Sequence, residues 1–260
     1  MKKIYSVVCI IALLTSPIFS FGQKSNTSWI LTEFGVNNSW IFNQNMYGNP
    51  ELPYLATIGY SGEVSYKHFL NKNGYSVGLG IANLGQKYEG EMSGANAQRK
   101  VNLTYLQLPL MGIYNLGGKR QQTWLSVGPQ FLFLMAARQD FNRTGEKLIP
   151  NTELMSQGVV NVKGRYKPVD IMLAFGLTNY FPIKIYNVKP YQVSEKIIWS
   201  LSLDGAIGLT DINQKQYQIN NMHNKYSGSH NFYVGIRVGF MLNMKGMHDA
   251  FLNMTHPSEF

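Results

Sequence analysis

Between residues 28 and 242 the chain divides into eight short segments in which an apolar set of side chains alternates with a small or polar set. A period of two is what a strand with unlike faces requires. The segments cover residues 28–41, 55–69, 75–85, 101–115, 123–137, 168–180, 196–212 and 231–244. In the second, Ile58, Tyr60, Val64 and Tyr66 share one face, against Thr57, Gly59, Ser61, Glu63, Ser65 and Lys67 on the other. In the eighth, Phe232, Val234, Ile236, Val238, Phe240 and Leu242 oppose Tyr233, Gly235, Arg237, Gly239 and Met241. The sixth and seventh repeat the pattern, with Asp170 and Asp204 on their polar faces. The fourth segment is apolar on both faces from Tyr105 to Met111, so alternation leaves its phase open. Its Pro109 also removes a ladder donor, which normally confines proline to edges, bulges or strand starts.

The connections carry a second periodicity. Asn71-Lys72-Asn73-Gly74 reads as a tight hairpin, and Gly117-Gly118-Lys119-Arg120 as another short turn. Longer polar stretches follow the first, third, fifth and seventh segments, including 86–100, 138–167 and 213–229. Long loops on one side and short turns on the other are expected of a transmembrane barrel. The stretch 181–195, which should be short, is the exception.

The chain start decides which solvent those strands meet. Lys2 and Lys3, the apolar run from Ile4 to Leu14, and the small residues Ser20 and Gly22 are expected to form a cleaved export signal over residues 1–22, with an uncleaved anchor as the alternative. Residues 23–245 are then the barrel and 246–260 a periplasmic tail, with both ends of the barrel in the periplasm. The terminal Phe260 resembles an assembly signal, as does Phe240-Met241-Leu242. Cys9, the sole cysteine, falls inside the signal, leaving no disulfide, thiol nucleophile or cysteine metal site in the mature chain.

Composition agrees with strands and turns. Charged residues make up only 14%, aromatics 13%, and there are 25 glycines. The net charge of +9 includes the two signal lysines, and the remaining cations are dispersed, mostly in turns and loops, which argues against nucleic-acid binding. A membrane-crossing chain without a long apolar helix must be a closed barrel. Alternation alone allows the apolar face to point inward around a ligand, as in a soluble lipocalin-like barrel, or outward into lipid. The Gly, Ser and Ala of the polar face, with few long charged side chains, favour lipid. Trp29, Trp40, Tyr54, Tyr75, Trp124, Tyr180 and Phe232, near strand ends, are then expected in the interfacial girdles. The expected fold is an all-β, eight-stranded antiparallel up-and-down transmembrane β-barrel in the outer membrane of a Gram-negative bacterium.

Tyr105-Leu106-Gln107-Leu108-Pro109-Leu110, Gly128-Pro129 with its apolar run to Leu134, Asp170 ahead of Gly176, and Gly208-Leu209-Thr210-Asp211-Ile212 resemble the PorT-like outer-membrane β-barrel family. The resemblance spans most of the mature chain. It implies an eight-stranded barrel, and through one namesake an association with envelope or type IX secretion proteins, although most members have no assigned role.

The polar faces bring Glu33, Glu63, Lys67, Asp170, Asp204 and Arg237 into the lumen. Charges enclosed there must pair, because an isolated buried charge is costly. A salt-bridge plug around Arg237 is expected, with a gated proton or ion path as the alternative. His68, His223, His230, His248 and His256 have no serine or carboxylate assignable to them from sequence. His223 and His230 lack a third ligand for a metal. No catalytic, cofactor or metal residue is assigned, and the expected partners are outer-membrane lipid and lipopolysaccharide. The role read here is structural or interactive, with a lipid-modifying enzyme and a narrow channel as rivals.

Overall fold

The computed structural model describes residues 26–43, 53–70, 72–92, 95–117, 123–144, 158–186, 193–218 and 225–243. The expected signal, the tail and residues 118–122 lie outside them. Among the described residues, ten strands form one sheet: β1 (Asn26–Phe42), β2 (Tyr54–Leu55), β3 (Ile58–Leu70), β4 (Asn73–Met92), β5 (Ala95–Asn115), β6 (Thr123–Thr144), β7 (Gly158–Asn161), β8 (Val169–Tyr186), β9 (Val193–Gly208) and β10 (His230–Asn243). All pairings are antiparallel. The ladders lead from β1 through β3, β4, β5, β6, β8, β9 and β10 and back to β1. Short β2 pairs with β4, and short β7 with β6.

The two accessory strands have a physical reason. Ladder β3–β4 stops at Ser61↔Ala82, and β6–β8 stops at Phe133↔Val169, so the upper parts of β4 and β6 would be bare edges. An unpaired edge is a template for aggregation. β2 covers Lys87 and Tyr88 of β4, and β7 covers Arg138 to Phe141 of β6.

Several segments are longer than their alternation indicated. β4, β5 and β6 have 20, 21 and 22 residues. About 9–11 residues suffice to cross a bilayer, so roughly half of each strand projects beyond it. The polar stretch 86–100, expected as a loop, is the upper part of a hairpin whose strands pair as far as Met92↔Ala95. At the expected turn Asn71 to Gly74, Asn73 and Gly74 already belong to the ladder, with Leu70 paired to Asn73, and Asn71 lies outside the described residues. In the anomalous stretch 181–195, residues 181–186 and 193–195 are strand, because β8 and β9 extend to Tyr186↔Val193. Segment 55–69 breaks at Ala56-Thr57, and segment 196–212 ends early, its last four residues leaving the sheet.

The faces are oriented without ambiguity. Val36, Ile58, Tyr60, Leu203, Ile236 and Phe240 are more than half exposed, whereas Ser65, Ser76, Ser200, Ser202 and Arg237 are buried. The apolar face is outside. β5 also acquires a phase: Leu103, Tyr105, Gln107 and Pro109 point inward, and Leu106, Leu108 and Leu110 outward. Pro109 sits where both neighbouring ladders lapse. Cα pairing skips from Val77↔Leu110 to Gly80↔Gln107 on one side and from Pro109↔Gln130 to Gly112↔Val127 on the other.

The interior is not simply polar. Near the end of the barrel that holds Asn26 and Asn243, Trp29, Leu31, Phe69, Ile113, Tyr180 and Met241 form a buried apolar cluster, with Trp124 against it. Phe69 packs edge-on against Trp124 at 4.7 Å and Tyr180 at 6.0 Å. Trp29, Trp124 and Tyr180 are therefore inside the barrel, not in a girdle, because the parity of β1, β6 and β8 turns them inward. Outward aromatics do occupy strand ends, as in Trp40 against Phe232 at 5.4 Å and Phe181 stacked on Trp199 at 4.3 Å. Toward the opposite end a second interior cluster includes Leu103, Tyr105, Leu132, Met172, Ala206 and Ile212.

Candidate functional site in the barrel interior

Between the two apolar clusters lies a polar layer. Strands β1, β3, β9 and β10 turn Glu33, Glu63, Lys67, Asp204 and Arg237 inward, and Arg237 is the hub. Its Nη1 donates to Glu63 Oε2 at 2.9 Å and its Nη2 to Asp204 Oδ2 at 2.7 Å. Nη2 also donates to the Tyr233 hydroxyl at 3.2 Å, which donates to Gln130 Oε1 at 3.1 Å. Gln130 Nε2 donates to Gln107 Oε1 at 2.7 Å, and Gln107 Nε2 donates to Glu63 Oε2 at 3.2 Å. The bonds close on themselves through Arg237, Tyr233, Gln130, Gln107 and Glu63, tying β10, β6, β5 and β3 together across the interior. The bonds made by Arg237 and Glu63 are charge-assisted and about twice as strong as neutral ones.

Small residues make room for these long side chains. Gly35 stands opposite Arg237, and a Cβ there would fall 2.4 Å from Ile236 O and 2.6 Å from Arg237 Cγ. A Cβ on Gly78 would lie 2.6 Å from Glu63 Oε1.

The remaining predicted site residues are placed differently. Glu33 pairs with Glu63 in the β1–β3 register, and its Oε1 accepts from Ser200 Oγ at 3.2 Å and Ser202 Oγ at 2.9 Å. Lys67 Nζ donates to the Tyr180 hydroxyl at 3.1 Å, joining the polar layer to the lower cluster. Asp170 does not reach Arg237. It accepts from Thr210 Oγ1 at 2.5 Å and Asn231 Nδ2 at 2.8 Å, nearer the far end. A cavity of about 50 Å³ is lined by Glu33, Glu63, Lys67, Asp204 and Arg237, among others. That volume holds a few waters.

Alternation could not reveal Gln107 and Gln130 as partners. Gln107 lies in the segment apolar on both faces. Tyr233 was visible on the polar face of its strand, but its aromatic ring hides a role that depends on the hydroxyl.

The segment after β9 covers the far end. Ile212 is fully buried in the upper cluster, while Asp211 gathers the connection around its carboxylate. That carboxylate accepts from the Tyr226 hydroxyl at 2.9 Å, Gln218 Nε2 at 2.7 Å, and the backbone N–H groups of Asn213 and Ser229 at 3.1 and 3.0 Å. Lys167 Nζ donates to the Asp211 carbonyl at 2.6 Å. Burial, opposed by the Asn213 bond and reinforced by Asp211, pushes the Tyr226 hydroxyl up to about 12.

On the outside, Ser28 and His68 are register partners, and Ser28 Oγ lies 2.9 Å from His68 Nδ1 and 2.9 Å from the Tyr66 hydroxyl. No carboxylate bonds to His68 among the described residues. His230 opens β10, whereas His223, His248 and His256 lie outside the described residues. No group of three or more potential metal-ligating side chains occurs among the described residues.

Residues 21–214 match the family model described as outer membrane protein beta-barrel domain. Among solved structures, Neisserial surface protein A is 9% identical with a TM-score of 0.39, over 83% of this chain and 98% of that one. OprG from Pseudomonas aeruginosa is 13% identical with a TM-score of 0.37, over 86% and 98% of the two chains. Ail of Yersinia pestis is 11% identical with a TM-score of 0.33, over 83% and 99%. No curated protein sequence matches the chain. With its apolar face outward and its match to that model, the chain belongs to the outer membrane protein beta-barrel domain family, and it is an outer-membrane protein of a Gram-negative bacterium.

Proposed function

We propose that the chain is an eight-stranded, PorT-like transmembrane barrel with a plugged lumen, non-enzymatic, acting through its outer surfaces and loops in the envelope. The single observation that carries this reading is the hydrogen-bonded ring through Arg237, held between two apolar layers. A conducting pore needs a continuous wet path. Here Trp29, Phe69 and Tyr180 fill one level, the Arg237 ring the next, and Leu103, Leu132, Met172 and Ile212 the third. The end holding Asn26 and Asn243 is the periplasmic one, and the long connections face outside the cell. Partners in this reading are outer-membrane lipid and, through loops or turns, envelope proteins that include type IX secretion components.

Ser28 and His68 are interfacial polar contacts in the same reading. A serine hydrolase orients its histidine with a third group, and the ring of His68 instead stacks beside Tyr66 with an interplanar angle of 12°.

Planar-bilayer recording on the full-length protein tests the plug. A membrane containing heat-modifiable, folded protein is expected to stay electrically silent. Steady single-channel steps would overturn the plugged lumen and favour the narrow channel.

A further inference from the structure

The outward face of the projecting β4–β5–β6 sheet can be read row by row from its register. The last row apolar on all three strands is Ile81, Leu106 and Phe133; beyond it come Met135, outward at the β6 bulge, and the row Asn83, Thr104 and Ala136, where Thr104 Oγ1 donates to Asn83 Oδ1 at 2.8 Å. Next come Gly85, Asn102 and Arg138, then Lys87, Lys100 and Asp140, then Glu89, Gln98 and Asn142. With distance from the apolar belt the face carries Arg138, then the two lysines with Asp140, and then Glu89.

Those rows set three cations side by side. Lys87 and Lys100 are direct cross-strand partners with outward side chains. Directly opposed side chains have Cβ atoms about 5 Å apart, and like charges there are destabilising. Arg138, exposed and one row nearer the membrane, lies diagonally beside Lys100. The neighbouring acids do not cancel the group evenly. Glu89 holds Lys87 at 3.6 Å from one row farther out, and Asp140 stands beside Lys100, so the edge facing the membrane is left to Arg138 and the two lysines.

Depth selects the ligand. Each row adds about 6.8 Å along a strand, so with the usual barrel tilt the Arg138 and lysine rows stand roughly 10 and 16 Å above the last apolar row. Long cationic side chains bend back toward the membrane from such positions. We propose that Lys87, Lys100 and Arg138 bind a phosphate of a phosphorylated glycolipid in the outer leaflet, with Asn102 and Thr104 beneath them beside the sugar. The guanidinium presents a planar fork suited to phosphate oxygens, and the lysines act as point charges. An anion between Lys87 and Lys100 removes the repulsion that their register imposes.

This inference rests on the transmembrane reading and names the lipid partner for it. The test uses full-length protein in phospholipid vesicles containing a trace of fluorescent, bisphosphorylated lipid A, with dephosphorylated lipid A as the second probe. Binding is expected to favour the phosphorylated lipid by roughly tenfold or more and to fall by a similar factor in Lys87→Gln/Lys100→Gln/Arg138→Gln. Lys72→Gln, at the opposite end of the barrel, should leave it unchanged. Equal binding of the two lipids, or a triple variant that binds as the parent does, would overturn the site. Displacement by millimolar inorganic phosphate would show a free-anion site and overturn the lipid assignment. Heat-modifiability is measured on every sample: a parent protein without it means that the transmembrane reading itself has failed, and a variant without it is replaced by the single change Lys100→Gln.

Discussion

At the residue scale, Arg237 concentrates the risk in the interior. It is surrounded by Glu63, Asp204, Tyr233 and the opposing Gly35, so every neighbour has been shaped around a guanidinium. Truncating one partner of a buried ion pair typically costs about 3–5 kcal/mol, because a charge is left uncompensated. Arg237→Ala leaves two such carboxylates. Its expected loss in reversible urea unfolding from vesicles is about 3–5 kcal/mol, and Glu63→Gln/Asp204→Asn/Arg237→Met should lose much less. A loss under about 1 kcal/mol, the value of an exposed pair, would mean that water reaches the ring and that the interior is wet. Asp170 illustrates a limit of alternation. Its parity sends it inward with the others, but parity carries no height, and its own level is set by Thr210 and Asn231.

At the scale of elements, what alternation made legible was the membrane-spanning middle of each strand, where one face must be apolar. It failed where the buried face is itself partly polar, as with Gln86 and Arg99 beside Tyr88 and Val101. Above the apolar belt β4, β5 and β6 are wet on the outside and polar in sequence, so 86–100 looked like loop although it is paired strand. The inward aromatics Trp29, Trp124 and Tyr180 looked like girdle residues because position near a strand end does not say which face of the strand a side chain occupies. The family-like string Gly208 to Ile212 was legible only as a resemblance, and the fold supplies its physical content. Thr210 bonds Asp170, Asp211 gathers the connection and Ile212 enters the upper cluster. That arrangement has a pH signature. The Tyr226 hydroxyl is raised from the ordinary value of about 10 to about 12, so the fold favours its neutral, donating form. Its stabilising contribution is complete below about 10 and lost as pH rises through about 12. The difference in tyrosinate absorbance between the parent and Tyr226→Phe should show a transition near the upper value. Asp211→Ala should move it down toward the ordinary one, and an unshifted transition would remove Asp211 as the organiser of the loop.

At the scale of the whole molecule, the deciding quantity is which solvent touches the apolar face. A soluble barrel buries that face around a ligand and shows water its charges. This chain does the reverse: Ile236, Val36 and Leu203, register neighbours in mid-barrel, are 54%, 59% and 53% exposed, while Arg237 beside them is 9% exposed. In lipid the outward row is the cheapest place for an alkyl chain and the most expensive for a cation. An arginine at the bilayer midplane of a barrel costs about 2–4 kcal/mol, falling to roughly 0–1 near the interfaces. Ile236→Arg should therefore lower unfolding free energy in vesicles by about 2–4 kcal/mol, whereas arginine at Asn102, in the first cationic row, should cost little. The pair works because the two sites share an outward side chain and differ in depth. Equal, negligible costs would place both sites in water and overturn the assignment of the outward row to lipid.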